Sequence, residues 1–250
     1  MCGLVTLDSH CHIGSEFYEK SGMHGGDLIP IDKWMKETHI DDIRRFQMLK
    51  PSIINQRVLD FGCGAGGFLE LAQPFAEKVS GVELEQRVWQ HWKGKIEVFD
   101  SIDKVSDNFD LITAFHVVEH LKDPRKTLQT LAKKLDRNGR IILEVPSAND
   151  ALLTLYNCDA FQRFTYWSQH LFLFNSYTLT TLATQAGLKV SAIKNYQRYP
   201  ISNHLHWLSQ GKPGGHKIWG FLDSPELHAA YQNALAANGM SDTLIAYLEI

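Results

Sequence analysis

Residues Val58-Leu59-Asp60-Phe61-Gly62-Cys63-Gly64-Ala65-Gly66-Gly67 join a short apolar strand to a glycine-rich turn. An acid, Glu83, follows roughly 20 residues later, at the end of a second strand expected over Lys78 to Glu83. This is the layout of a nucleotide-type ligand site at the carboxyl edge of a parallel sheet. Glycines there let the backbone approach the ligand, and the acid accepts from ribose hydroxyls.

The surrounding chain fits that sheet. Further strands are expected at Lys95 to Phe99, Phe109 to Phe115 and Arg140 to Val145, with helical patterns near Gly67 to Phe75, Gln86 to Trp92 and Pro124 to Leu135 between them. Strand and helix in alternation imply a parallel sheet wound by right-handed crossovers. Asn138-Gly139 is expected to close the last of these helices, where a left-handed residue is needed. Upstream, Trp34, Met35, Ile43, Phe46 and Leu49 are spaced like one face of a pair of helical segments stopped by Pro51, packed over the ligand edge. Downstream, Leu152 to Tyr156 reads as helix, Phe161 to Phe174 as an aromatic insertion, and Thr178 to Ala186 as a helix ended by Gly187. A strand at Leu188 to Tyr196, a loop or small subdomain at Pro200 to Phe221, a helix at Glu226 to Ala237 and a final strand at Thr243 to Ile250 complete the chain.

Gly62, Gly64 and Gly67 satisfy G-x-G-x-x-G, so the glycines alone do not separate a nicotinamide dinucleotide from S-adenosylmethionine. Asp60 bears on the choice: a carboxylate just ahead of the first glycine repels a pyrophosphate and suits the ammonium of a methionine moiety. Taken in order, Val58 to Gly67, the Gly81-Val82-Glu83 strand end, Phe109 to Pro124 and Asn138 to Pro146 resemble the class I S-adenosylmethionine-dependent methyltransferases, over most of residues 55 to 150. The carboxyl half is similar to small-molecule members from bacterial surface-polysaccharide and metabolite pathways.

The resemblance implies an α/β, Rossmann-like, seven-stranded and mostly parallel sheet with a reversed last strand and helices on both faces. It implies residues 1–56 as a helical lead and lid, and 57–250 as the methyltransferase domain with substrate-side insertions near 151–175 and 200–222. It also implies cofactor contacts. Asp60, Gly62, Cys63 and Gly64 would meet the methionine end, Glu83 and its neighbour Leu84 the ribose side, and Asp100, Ser101 and Ile102 the adenine. Phe115 and His116 would line the pocket near the sulfonium, where aromatic faces suit a cation.

For the chemistry, His120 is the first candidate base and His170 the second, since histidine titrates near neutral pH. His116, Glu119 and His120 also form an H-x-x-E-H spacing, similar to the E-x-x-E-H element of certain metal-dependent O-methyltransferases, and His170 would complete a divalent-metal set. Base, metal and packing roles all stay open at this point. His10 and His12 alternate along one segment but two histidines make a poor metal site.

Composition narrows the partners. With 25 basic and 28 acidic residues the chain has no global attraction to nucleic acid or anionic membrane. No apolar run approaches the roughly 20 residues of a membrane span, and no signal-peptide pattern opens the chain, so a cytoplasmic location is expected. Cys2, Cys11, Cys63 and Cys158 are scattered, which suggests reduced thiols, with Cys63 a pocket wall. The expected reaction is O-methylation of a sugar, a phosphorylated group or a related small metabolite, with Arg163, Lys212, His216 and Lys217 available to a phosphate. A nicotinamide-dependent oxidoreductase and a non-catalytic cofactor-binding protein are the alternatives. The sequence does not speak to oligomeric state.

Overall fold

The computed structural model describes residues 2–9, 28–167 and 169–250; His10, Cys11, His12 and the Met23-His24-Gly25-Gly26 stretch lie outside the described residues. The strands are β1 (Val5–Thr6), β2 (Arg57–Phe61), β3 (Lys78–Val82), β4 (Glu97–Phe99), β5 (Phe109–Phe115), β6 (Leu135–Pro146), β7 (Phe172–Leu173), β8 (Lys189–Tyr196) and β9 (Thr243–Glu249). The helices are α1 (Ile31–Ile53), α2 (Gly67–Ala72), α3 (Gln86–Trp92), α4 (Pro124–Ala132), α5 (Ala151–Thr154), α6 (Asp159–Thr165), α7 (Ser176–Gln185), α8 (Ile201–Gln210), α9 (Gly215–Ile218) and α10 (Pro225–Ala237).

Seven strands form one sheet in the order β4-β3-β2-β5-β6-β9-β8, and β1 pairs with β7 in a separate ribbon. All pairs from β4 to β6 are parallel, whereas β9 runs antiparallel to β6 and β8 on either side of it. The last strand is therefore reversed and inserted, rather than added at the edge. Central strands are apolar along their length because both faces are covered. Leu59, Ile112, Ile141 and Leu143 pack on one face with Leu128 and Leu131 of α4 and Leu179 and Ala183 of α7. Their chain neighbours Val58, Leu111 and Ile142 pack on the other, with Leu49 and Ile53 of α1, Phe68 and Leu69 of α2, and Val88 and Trp92 of α3. This is the period-2 alternation of a pleated strand.

From β2 the chain winds outward to β3 and β4, then returns to start β5 on the other side of β2. That reversal opens a crevice beyond the carboxyl ends of β2 and β5, where ligands of open α/β sheets bind. The glycine turn follows β2 and the His116 to His120 segment follows β5, so the two flank the crevice. Gly62 (φ 73°) and Gly66 (φ 85°) take left-handed conformations. A side chain on Gly62 would run into Val117, and one on Gly66 into the Trp92 indole, whose Nε1 donates to the Ala65 carbonyl at 2.9 Å.

Three local expectations are corrected. Ile31 to Ile53 is one continuous helix that includes Pro51, and its inward face is Trp34, Asp42, Arg45, Leu49 and Ile53. A proline in the final turn forfeits one hydrogen bond without breaking the turns before it. Asn138-Gly139 lies within β6, at the irregularity between the Phe109 and Leu111 pairings, and α4 ends earlier at Ala132. A side chain on Gly139 would press on the Phe109 carbonyl, so this glycine serves close strand approach instead of a helix end. The region after Pro200 is helical: α8 starts after Pro200, is closed by Gly211 in the left-handed region, and α9 packs on it.

Candidate active site

Two cavities meet beyond the sheet. The larger, about 750 Å³, is lined by the glycine turn, Glu83, Leu84, Asp100 to Ile102, Phe115 to Val117 and, from α1, Trp34, Thr38, Asp41, Asp42 and Arg45. The smaller, about 380 Å³, lies between the His116 to His120 turn, α5, α6 and the α8 region. His116, His120 and Arg198 line both.

In the larger cavity the strand register sets Asp60 opposite Thr113, whose hydroxyl donates to Asp60 Oδ1 at 2.7 Å. Asp60 is buried, and burial lifts its pKa to about 7 against the bond from Thr113 and the charge of Arg45. A cationic ligand group there would hold it ionised. Glu83 is turned toward the backbone: Gly64 N–H donates to Oε2 at 2.9 Å, and Leu84 and Glu85 N–H donate to Oε1 at 2.7 and 3.1 Å. Those bonds tie the acid to the glycine turn. Burial raises its pKa, with the three backbone donors opposing. Cys63 is buried with its thiol pushed well up by burial, which suits a wall and not a nucleophile. Leu84 is exposed on the rim, and Ile102 is half-buried against the core. Ser101 accepts from Asp103 N–H at 3.2 Å, and Asp100 Oδ2 pairs with Lys104 at 2.6 Å. Asp100 Oδ1 is buried with no hydrogen-bond partner among the described residues.

These features fit S-adenosylmethionine better than a dinucleotide. Asp41, Asp42, Asp60 and Glu83 line the cleft, a poor setting for a pyrophosphate, while Asp60 suits an ammonium and Asp100 Oδ1 suits an amine donor.

His116 follows β5 in the left-handed region at φ 55°, a strained conformation for a non-glycine residue, and its amide donates to the Glu144 carbonyl at 2.7 Å. Its Nδ1 faces Glu119 Oε1 at 3.1 Å. The two neighbours of Nε2 ask for opposite states. Arg198 Nη1 at 2.8 Å donates to an unprotonated nitrogen, and Glu144 Oε1 at 3.2 Å accepts from a protonated one. Burial and Arg198 oppose the proton, but the bonds to Glu119 and Glu144 outweigh them and raise the His116 pKa. Phe115 stacks edge-on with Phe68 at 5.1 Å and carries the Arg45 guanidinium 4.6 Å over its ring.

Ligand atoms of Glu119, His120 and His170 all lie within 4.8 Å of one another. The Nδ1 atoms of both histidines face backbone carbonyls, Gln169 at 2.7 Å and Thr165 at 2.9 Å, so each ring donates from Nδ1, and its neutral form is the tautomer with the lone pair on Nε2. Burial lowers the His170 pKa. Burial works against charge on Glu119, but the His116 bond and the nearby histidines hold its pKa below the usual range; its Oε2 is buried without a partner among the described residues. His116, expected as a fourth ligand, stands apart from this group, committed to Glu119 Oε1, Glu144 and Arg198.

Sequence reasoning did not find Arg198, Glu144, Asp150 or Asp242. Glu144 carried a signal, a charge inside the apolar run Ile141-Ile142-Leu143-Glu144-Val145. It is buried and takes Arg44 Nη2 at 2.8 Å and Arg45 Nη2 at 2.7 Å, while Arg198 pairs with Asp41 of α1. Of the aromatic set, Phe161, Phe164 and Trp167 line the smaller cavity, Tyr166 is exposed, and Phe172 and Phe174 stack on each other at 5.9 Å. Of the four residues expected to meet a phosphate, His216 lines that cavity and Arg163, Lys212 and Lys217 do not.

The sheet order, the glycine turn and the acid after β3 define a class I S-adenosylmethionine-dependent methyltransferase. The profile of the family described as "Methyltransferase domain" matches residues 31–193, and the chain belongs to that family. The fold is similar to a SAM-dependent methyltransferase from Archaeoglobus fulgidus, at 19% identity over 85% of this chain and 94% of that one, TM-score 0.57. It is also similar to coclaurine N-methyltransferase bound to N-methylheliamine and SAH, at 15% identity over 83% and 72%, TM-score 0.54. Curated relatives include a ubiquinone biosynthesis O-methyltransferase of Coxiella burnetii, 22% identical over 68% of this chain and 80% of that one. The mitochondrial enzyme of that name from Schizosaccharomyces pombe is 25% identical, and the match spans 46% of its length. Among the described residues no helix is long and apolar enough to cross a membrane.

Proposed function

We propose that this protein transfers a methyl group to a hydroxyl of a small molecule seated in the smaller cavity, with His120 as base. The observation that carries this is the junction: His116, His120 and Arg198 line both cavities, so a donor in one and an acceptor in the other would meet there. In this reading Asp60, Gly62, Cys63 and Gly64 hold the methionine end, and Glu83 and Leu84 the ribose. Asp100, Ser101 and Ile102 receive the adenine, Phe115 and His116 border the methyl, and α1 covers the cleft. When bound, the cofactor supplies an electrophilic methyl on a sulfonium. The protein aligns the acceptor, an effect worth about 7–11 kcal/mol when well arranged. His120, locked by the Gln169 carbonyl, takes the hydroxyl proton on Nε2, and Glu119 stabilises the charge that results.

The Glu119, His120 and His170 group favours a second reading. Two imidazoles and a carboxylate could hold a divalent ion that acidifies the acceptor hydroxyl in place of a base. Dialysis against a chelator, with metal content and turnover measured together, separates them: unchanged turnover of metal-free protein supports the base, and loss restored by a divalent ion supports the metal.

For the acceptor, the relatives' printed names point toward ubiquinone biosynthesis and give the polysaccharide expectation no support. The cofactor assignment is tested by titrating S-adenosylmethionine into Glu83→Ala. A loss of at least tenfold in affinity is expected, since charge-assisted hydrogen bonds contribute about 1.5–3 kcal/mol each. Unaltered binding would remove Glu83 from the site.

A further inference from the structure

Building on the reading of the smaller cavity as the acceptor site, we infer that its substrate is a hydroxylated organic amine, held by its ammonium group against Asp150 and the aromatic wall. Asp150 is 4% exposed and lines the cavity. One oxygen accepts from Leu152 N–H at 2.7 Å; the other has no hydrogen-bond partner among the described residues. Asp242, also lining the cavity, accepts from Gln197 Nε2 at 2.8 Å, Arg198 N–H at 3.0 Å and Tyr199 N–H at 3.2 Å, all of them uncharged donors. Neither acid forms an ion pair among the described residues.

The cationic groups of the lining are already engaged, including His116, whose raised pKa comes from its bonds to Glu119 and Glu144. Arg198 is the one guanidinium or ammonium group among the described lining residues, and it is committed to Asp41 and His116. Burial lowers the pKa of His204 to about 4 and lowers that of His216. His204 is fixed as well: its Nδ1 meets the Tyr231 hydroxyl at 2.6 Å and its Nε2 accepts from Gln197 at 3.2 Å. Burial, then the charge of Asp242, pushes Asp150 up to about 8, the setting of an acid that a neighbouring cation would ionise. The same cavity is walled by Phe161, Phe164 and Trp207, with ring centroids 5.2 Å from each phenyl to the indole, together with Trp167. Aromatic faces beside carboxylates are the setting that recognises organic cations. A phosphorylated acceptor would meet two acids, while Arg198 and His116 already pair with Asp41, Glu119 and Glu144.

The test is calorimetry on the whole protein loaded with SAH, using benzylammonium, benzyl alcohol and benzoate as probes of one size and three charges. Benzylammonium should bind at least tenfold more tightly than benzyl alcohol, and benzoate more weakly than either. Asp150→Asn keeps the cap on α5, because asparagine caps as well as aspartate, and should erase the preference for benzylammonium while leaving SAH affinity unchanged. Equal binding of the alcohol, tighter binding of benzoate, no binding of any probe, or a preference surviving Asp150→Asn would each overturn the inference. The SAH titration alone reports on the cofactor reading, so the two fail separately.

Discussion

A His120→Ala protein is expected to keep its affinity for S-adenosylmethionine and to turn over about 10²–10⁴ times more slowly, the usual contribution of a general base. His120 lies in the short turn after β5, and its Nδ1 is fixed on the Gln169 carbonyl at 2.7 Å. Its other nitrogen faces Glu119 Oε1 at 3.8 Å on the wall shared by the two cavities. The groups proposed for the cofactor, Asp60 within β2, Glu83 after β3 and Asp100 after β4, hydrogen-bond to Thr113, to backbone amides and to Lys104, so the substitution leaves them intact. The defect should therefore appear in kcat and not in the KM for the cofactor. His120→Asn is the control for packing, since its amide can still donate toward Gln169 but cannot act as a base. It should melt like the wild type and remain slow. Full turnover by either variant would move the proton transfer to His170 or make it unnecessary.

How much of this was legible follows from which contacts are local. The glycine turn, Glu83 and the strands from β2 to β5 are written in short stretches whose periodicity and turn chemistry decide their structure. So was the grouping of Glu119 with His120, one residue apart on one turn; His170 joins them because Leu171 N–H donates to the Glu119 carbonyl at 2.8 Å. Asn138-Gly139 misled because the same pair suits a helix end and an irregular strand, and only the pairing with β5 selects the second. The charge network was out of reach. Arg198 and Asp41 are 157 positions apart, and nothing in either neighbourhood names the other. The acids of the smaller cavity were hidden for a related reason: Asp150 reads as an ordinary helix cap, and only the approach of the β9 entry brings Asp242 beside it.

Glu144→Ala should lower stability at neutral pH by about 3–5 kcal/mol, the typical cost of removing one partner from a buried ion pair. For a chain of this size that is a fall in Tm on the order of 10 °C. Glu144 is fully buried near the carboxyl end of β6, opposite Phe115 and Ile245. It accepts from Arg44 and Arg45 of α1 and from His116, so truncation leaves two guanidinium groups facing an apolar strand. Burial works against the Glu144 charge, but Arg45, His116 and Arg44 overcome it and hold the pKa well below the ordinary 4.5. The sign follows from that depression: the contribution is fully present above the unfolded value and is lost as pH falls through the folded one. Melting curves of wild type and variant should therefore lie far apart at pH 7 and converge only as the solution is acidified well below 4.5. The same substitution should loosen the site, because Glu144 anchors Arg45 over Phe115 and steadies His116 in its strained backbone conformation. If the two proteins melted together at neutral pH, Asp41 and Asp42 would have to satisfy the arginines alone, and α1 would be held over the cleft by apolar packing instead of charge.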